Sequence, residues 1–138
     1  MPLQLEIVTP EKRVLSETVD VAVLPGSEGE LGILPSHVPL VTALKPGELT
    51  YTRNGKTESL AVGTGFVEVS KDKVSVLTDM AVGESDIDEK AVEEALARAQ
   101  ERLEGLKHDQ SSEEMALVQA MIQKSMAQLH VKRRRHTI

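Results

Sequence analysis

The spacing of apolar residues changes once along this chain, near residue 85, and the change limits the folds open to it. In the first part, Leu3, Leu5 and Ile7 alternate with polar residues, which is the period of two typical of a half-buried strand. Beyond residue 85, apolar residues recur at intervals of three and four, as in an amphipathic helix. The sequence therefore predicts an α+β fold, with an N-terminal β-sandwich over 1–84 followed by a C-terminal antiparallel two-helix hairpin over 85–138.

Turn signals separate several short strands in the first part. Asn54-Gly55 lies between two alternating segments and predicts a β-hairpin, because a type I′ turn needs positive φ at both positions. The polar tip at 70–73 predicts a second hairpin, and Val19, Val21 and Val23 mark a further half-buried strand. Short strands with frequent turns favour a sandwich or a barrel.

The stretch Leu24–Gly47 concentrates turn residues, with four of the nine glycines and four of the six prolines. Apolar residues run between them, so we expect ordered loops packed on a sheet. Gly26, Gly29 and Gly32 recur at a spacing of three, but no Lys-Ser/Thr follows and no capped helix begins there. A phosphate-binding loop is therefore excluded.

Two helices are predicted in the second part. Asp86 with Glu89 forms a capping box before a helix over 90–106, and Ser111 with Glu114 forms another before a helix over 112–131, with the break at 105–110. Both apolar seams are narrow. They consist of Val92, Leu96, Ala99, Leu103 and Leu106 in the first helix and Met115, Val118, Ile122, Ser125 and Leu129 in the second. Two helices with such thin seams bury little apolar area, which makes the hairpin a candidate mobile element.

Catalytic patterns are missing from the sequence. There is no cysteine, none of the four histidines stands at metal-ligand spacing from another, and no carboxylates are paired in an apolar context. His37 follows a serine without an evident acid partner, and a loop histidine bonded to nearby backbone is the simpler interpretation. We expect a protein that is not an enzyme and has no catalytic or metal site.

Charge and aromatic content bear on the partners. The formal net charge is -6, and Tyr51 and Phe66 are the only aromatic residues, so base-stacking platforms are few and nucleic acid is not an expected partner. The basic run 132–135 is either a solvated end or a contact for an acidic protein surface. Residues 1–12 lack the features of a signal peptide, and no run reaches the length of a membrane span.

Several motifs resemble one family over nearly the whole chain. They are the segment 25–35 (PGSEGELGILP), His37, Pro39-Leu40, 44–47 (LKPG), 65–69 (GFVEV) and 74–79 (VSVLTD). On these residues the chain resembles the epsilon subunits of bacterial F-type ATP synthases, whose architecture is a β-sandwich followed by a helical hairpin.

The resemblance implies a non-catalytic rotor subunit of the central stalk in a proton-translocating synthase. The sandwich is then expected to dock on the gamma subunit and the c-ring through Glu28, Gly29, Glu30, Leu31 and His37. The hairpin is expected either to fold against the sandwich or to extend into the alpha and beta subunits, where it inhibits ATP hydrolysis. In the extended state the contacts to the beta subunit would be made by Lys124, Lys132, Arg133, Arg134 and Arg135.

Some members of the family bind regulatory ATP through an Ile/Leu-Asp-x-x-Arg-Ala motif. Here Ile87 and Asp88 match it, Ala91 and Val92 replace the arginine and alanine, and Lys124 stands where such members carry a basic residue. The alternative is that Asp88 is a first-turn acid that favours the helix dipole. No obligatory cofactor is expected.

Other functions remain as alternatives. One is a free-standing β-sandwich protein-binding module, which would need an aromatic-lined face, and a more distant one is a small hydrolase using His37. For the leading interpretation, the expected location is the cytoplasmic face of the bacterial inner membrane, peripheral and held through the complex.

Overall fold

The computed structural model describes residues 3–36, 39–109 and 112–136. Its strands occupy the first part of the chain, as the alternating pattern predicts. They are β1 (Leu3–Val8), β2 (Arg13–Val19), β3 (Val21–Gly26), β4 (Gly29–Ile33), β5 (Leu40–Leu44), β6 (Gly47–Arg53), β7 (Lys56–Val62), β8 (Gly65–Ser70), β9 (Lys73–Thr78) and β10 (Ala81–Gly83).

The strands form one hydrogen-bonded sheet that folds over on itself. Its order is β10-β7-β6-β3-β5-β8-β9-β1-β2, with β4 on the other edge of β3. β3 is the corner, because its first residues pair with β6 while Gly26, at its end, pairs with Leu44 of β5. One layer is therefore built from β10, β7, β6 and β3 and the other from β5, β8, β9, β1 and β2, which confirms the predicted sandwich.

The core between the layers consists of aliphatic side chains. Leu3, Leu5 and Ile7 point into it with no exposed surface, as their alternation predicts. In β3, however, Ala22, Leu24, Pro25 and Gly26 are buried while Val21 and Val23 are only half-buried, so the expectation of a buried valine face there is wrong. The chain crosses from β2 to β3 at Asp20, which belongs to neither strand, so the alternation changes phase between them.

The two predicted hairpins are present. Asn54 and Gly55 have φ values of 53° and 77° and connect β6 to β7, as a type I′ turn requires. Asp20 supports that turn, since its Oδ2 accepts a hydrogen bond of 3.1 Å from the Asn54 backbone N–H. Lys71, with φ of 54°, lies in the turn between β8 and β9.

The glycine- and proline-rich stretch is more regular than expected. Instead of loops on a sheet it contributes β4, β5 and the start of β6. Gly29 has φ of 128°, a value open to glycine, and closes the tight hairpin in which Gly26 pairs with Gly29. His37 and Val38 lie outside the described residues.

The helices begin after a short 3-10 turn at Glu84–Asp86. They are α1 (Glu89–Asp109) and α2 (Ser112–His136). The N-cap of α1 is Asp88 and not Asp86, because Asp88 Oδ1 accepts a 3.1 Å hydrogen bond from the Ala91 backbone N–H while Asp86 belongs to the 3-10 turn. Gly105 lies inside α1, so the break comes later than predicted, and Ser111 of the second predicted box lies outside the described residues.

α2 lies between α1 and the sheet. Its predicted seam packs on that of α1, with Ala99, Leu106 and Val118 buried at the centre. Its opposite side contacts β6 and β7, where Ala127 and Val131 pack with Ala61. The hairpin is therefore folded against the sandwich in this structure.

Tyr51 gives a direct optical test of the sandwich because it is the only tyrosine. Burial raises the pKa of its phenol above the ordinary 10.0, and the carboxylates of Glu58 and Glu17 add to the rise while Arg53 opposes it. Phenolate absorbance should therefore rise at a higher pH in the folded chain than in the urea-unfolded chain. The folded state binds its proton more tightly, so this contribution to stability is complete below the unfolded pKa and is lost as pH rises through the folded pKa. Tyr51→Phe should remove the absorbance change, and equal midpoints in the two states would contradict the burial.

Candidate docking surfaces

Polar contacts made by α2 join the hairpin to the sandwich. Lys124 Nζ lies 2.8 Å from Asp79 Oδ2, in the loop between β9 and β10. One turn further on, Gln128 Nε2 donates to Met80 Sδ at 3.3 Å. His130 Nε2 lies 3.9 Å from Glu48 Oε1 of β6. Lys124 and Gln128 are four residues apart and share one face of the helix, so their contacts reinforce the apolar packing of Ala127 and Val131.

Two further cations, Lys132 and Arg133, form ion pairs at the end of the hairpin that lies near the sandwich. Lys132 Nζ lies 3.6 Å from Glu84 Oε1 and donates to the Glu84 backbone oxygen at 3.4 Å. Arg133 reaches α1, where its Nε lies 2.9 Å from Glu89 Oε1 and its Nη2 lies 2.5 Å from Glu93 Oε1. Hydrogen bonds from Arg133 to the carboxylates of Glu89 and Glu93 raise the pKa of its guanidinium above the ordinary value. The bond to Glu89 has the larger effect.

Three of the five cations predicted to meet the beta subunit have intramolecular partners. Lys124, Lys132 and Arg133 each face a carboxylate of the same chain. Arg134 and Arg135 continue the backbone of α2. In the folded hairpin, Lys124 and Lys132 join α2 to the sandwich and to the segment before α1, while Arg133 joins α2 to α1.

The residues matched to the ATP motif do not share a pocket. Ile87 is buried beside Val131, and the Asp88 carboxylate caps α1. Lys124 precedes Val131 by seven residues, which is about 10 Å along the helix axis, and it pairs with Asp79. ATP binding by these three residues stays a prediction from the motif.

The residues predicted to meet the c-ring lie on a projecting hairpin. Glu28 and Glu30 are exposed at the turn between β3 and β4, and Gly29 between them provides the positive φ of that turn. Leu31 turns the other way, half-buried against the sandwich core. The structure therefore presents two carboxylates close together at an edge of the molecule.

An exposed apolar row on the other layer was missed by the sequence analysis. Ala43, Phe66, Leu77 and Val8 are neighbours in register across β5, β8, β9 and β1, and we call them the outer apolar row. Phe66 is 61% exposed and Leu77 is 57% exposed. The row spans about 15 Å, from the spacing of four strands. Exposed apolar patches of this kind mark interaction sites.

The alternation of buried and exposed residues along β8 is the sequence pattern that could have predicted the outer apolar row. Val67 and Val69 are fully buried, so Phe66 and Glu68 must point to the other side of the strand. If Phe66 is assigned to the core together with Val67 and Val69, its outward direction is overlooked. The only phenylalanine of the chain lies on its surface.

The charged side chains of one cleft in the described part of the chain pair with one another. The cleft between β2 and the β6–β7 hairpin measures about 390 Å³, and its charged groups pair with one another as Arg53 with Glu17 and Lys56 with Glu58. Among residues 3–36, 39–109 and 112–136, no three His, Cys, Asp or Glu side chains converge as metal ligands. Neither α1 nor α2, as far as they are described, is long and apolar enough to cross a membrane.

Comparison with known proteins assigns the family. Residues 2–84 match the beta-sandwich domain of the ATP synthase delta/epsilon chain, and residues 85–133 match its long alpha-helix domain. The chain therefore belongs to the ATP synthase delta/epsilon family. Within that family its curated relatives are ATP synthase epsilon chains. The one from Nitratidesulfovibrio vulgaris is 46% identical over 130 residues, which cover 94% of this chain and 95% of the relative.

Two other similar proteins support this assignment to the family. The epsilon chain of Carboxydothermus hydrogenoformans is 52% identical over 101 residues, covering 73% of this chain and 75% of its own. A chain of the Euglena gracilis mitochondrial ATP synthase has the same fold, with a TM-score of 0.74 at 24% identity over 91% of this chain and 78% of that one. Membership in the family confirms the prediction of a structural and regulatory subunit, not the catalytic one. It favours this interpretation over the two alternatives, a free-standing binding module and a small hydrolase.

Proposed function

We propose that this chain is a central-stalk rotor subunit of a proton-translocating F-type ATP synthase and that its hairpin regulates ATP hydrolysis. The main support is the folded hairpin itself, in which Lys124 and Lys132 are held by carboxylates that lie outside the two helices, those of Asp79 and Glu84. In this state they are unavailable to the catalytic head. The folded hairpin is then the state that permits hydrolysis, and the extended hairpin is the inhibitory state.

The balance between these states is close because the hairpin holds the sandwich weakly. Among the described residues, Ala61, Ile87, Ala127 and Val131 form the buried apolar contact, against fifteen buried residues in the core of the sandwich. The ion pairs that accompany them are partly exposed, and such pairs add little to stability. Small differences in contact free energy can therefore shift the population of each state.

In the extended state the same cations would contact an acidic segment of the beta subunit. Arg134 and Arg135 would extend that basic surface. Opposite charges speed the encounter of two proteins, and salt weakens them. Lys124 and Lys132 would each exchange one carboxylate for another, while Arg133 keeps its partners on α1, so the charge contribution changes little between the states.

The sandwich is proposed to carry two docking surfaces. The outer apolar row suits an apolar face of the gamma subunit, because it lies on the layer that the hairpin leaves uncovered. Glu28 and Glu30 suit the polar loops of the c-ring, and His37 is assigned to the same region. A similar chain of Tetrahymena thermophila, with a TM-score of 0.53 at 17% identity over 67% of this chain and 70% of that chain, comes from a structure of a mitochondrial central stalk and c-ring. Through these contacts the subunit would be peripheral to the cytoplasmic face of the bacterial inner membrane.

Removal of the hairpin tests the regulatory role. A chain that ends before Ser85 keeps the complete sandwich core, so it should still assemble and support ATP synthesis. Hydrolysis by the assembled complex should rise several-fold, because no hairpin can enter the head. The measurement is ATPase activity of membranes that contain the full or the shortened subunit. An unchanged hydrolysis rate would remove the inhibitory role.

Substitution in the outer apolar row tests docking on gamma. Phe66→Glu should weaken binding to purified gamma subunit by at least about tenfold, because a carboxylate would be buried without a partner. Leu117→Glu is the matched control, since Leu117 is similarly exposed, at 67% against 61%, but lies on α2. Neither change removes core packing, so thermal melting should stay the same for both. Equal affinities of the two variants would contradict this assignment.

Charge reversal tests the contact with the c-ring. With Glu28→Lys and Glu30→Lys together, proton-driven ATP synthesis should fall while binding to gamma persists, because neither carboxylate is part of the outer apolar row. Glu101→Lys on the exposed side of α1 is the control. Wild-type coupling in the double variant would count against the assignment.

A further inference from the structure

Two loops of the sandwich are tied together where α2 crosses its end. The buried Thr78 side chain is the centre of this tie, since its Oγ1 lies 3.0 Å from the Thr64 backbone oxygen and accepts a 3.2 Å hydrogen bond from the Gly63 N–H. Gly63 N–H also donates to the Met80 backbone oxygen at 3.0 Å, and Asp79 N–H donates to the Thr64 oxygen at 3.0 Å. The backbone that carries Asp79 is therefore fixed in place.

The Asp79 carboxylate is oriented from two sides. Thr64 Oγ1 donates to its Oδ2 at 3.1 Å, and Lys124 Nζ lies 2.8 Å from the same oxygen. The two side chains of the ion pair are 39% and 28% exposed, so the pair is partly sheltered from solvent. A preorganised carboxylate loses little freedom when it pairs with a cation.

Gly63 provides the space that this arrangement needs. A Cβ atom on Gly63 would lie 2.0 Å from Asp79 Oδ1 and 3.3 Å from Lys124 Cε. The first distance is impossible for a real contact, so the carboxylate would have to move. Gly63 does not have positive φ, and the atom in conflict is the end of a side chain, so the sandwich itself can accept alanine there.

The other described contacts at this interface are less suited to hold the hairpin. Arg133 pairs with Glu89 and Glu93, which belong to α1 and move with it. Lys132 pairs with Glu84 at 3.6 Å in the segment that connects to the hairpin, and His130 is 3.9 Å from Glu48 and is charged only when protonated. Asp79–Lys124 is the shortest of the described ion pairs that join the hairpin to the sandwich.

We propose that Asp79, held by Thr64 and given space by Gly63, is a latch for Lys124 that sets the fraction of folded hairpin. The regulatory consequence rests on the proposed function, since one ammonium group cannot pair with Asp79 and with an acidic segment of the beta subunit at once. The latch therefore competes directly with the inhibitory contact. Gly63 is a positioning residue, because it has no side chain that could pair with Lys124 and acts through the space it leaves for the Asp79 carboxylate.

The direct test is energy transfer within the full-length chain. The sequence has no cysteine, so dyes can be attached at Lys71→Cys on the sandwich and Met121→Cys on α2 without other changes. Asp79→Asn and Gly63→Ala should each lower the ratio of folded to extended hairpin by about three- to fivefold, as expected for the loss of one partly exposed pair. Added salt should lower the ratio in the unsubstituted chain and have less effect in Asp79→Asn.

Gly83→Ala is the matched control. It is the same substitution close to the hairpin, but its Cβ would meet only Asp86 Oδ2 at an ordinary 3.6 Å. Gly65→Ala marks the opposite case, since its Cβ would lie 1.8 Å from the Leu77 backbone oxygen and should disturb the sheet. Thermal melting distinguishes a disturbed sheet, as expected for Gly65→Ala, from loss of the latch alone. The charge exchange Asp79→Lys with Lys124→Asp should restore part of the folded fraction that Asp79→Asn loses.

The readouts separate this latch from the inhibitory role. In the assembled complex, Gly63→Ala and Asp79→Asn should lower ATP hydrolysis, because more hairpin is extended. If the shortened chain raises hydrolysis but both variants show the energy transfer and hydrolysis of Gly83→Ala, the latch is wrong and the inhibitory role stands. If the shortened chain leaves hydrolysis unchanged, the inhibitory role fails while energy transfer in the isolated chain still decides the latch. No detectable folded state in the unsubstituted chain would also overturn it.

Discussion

The arrangement of this molecule depends on one strand that takes part in both layers of the sheet. β3 pairs with β6 through its first residues and with β5 at Gly26. Close backbone contacts make the corner possible, because a Cβ on Gly26 would lie 2.8 Å from the Gly29 oxygen and one on Gly47 would lie 2.9 Å from Pro25 Cβ. The density of glycine and proline in this part of the chain is therefore a requirement of folding one sheet into two layers, with a core that needs no aromatic residue.

α2 depends on the sandwich and also covers it. Its seam packs on α1, and its other side places Ala127 and Val131 on the outer face of β7. That strand is consequently buried on both faces near Ala61, while β8 and β9 in the other layer keep Phe66 and Leu77 in solvent. The two layers are thus specialised, one for the chain's own hairpin and the other for a separate partner.

The sequence was sufficient for a strand-rich first part followed by two helices, and insufficient for β4 and β5, which formed where loops were expected, and for the contacts between elements. Alternation and turn chemistry act locally, so the Asn54-Gly55 hairpin and both helical seams were predictable. The phase of β3 was not, because it depends on the crossing at Asp20, and the N-cap of α1 moved to Asp88 since the preceding residues form a 3-10 turn. Pairing of Lys124 with Asp79 joins residues 45 positions apart, and no local pattern records it.

The Arg133 contacts have a mechanical consequence. They clasp α2 to Glu89 and Glu93 at the end of the hairpin closest to the sandwich, while the apolar seam joins the two helices along their length. The 25 residues of α2 make a rod of about 37 Å. A stiff rod pivoting near residues 84–88 would act as a lever, so a small rotation at that pivot would produce a displacement many times larger at the far tip.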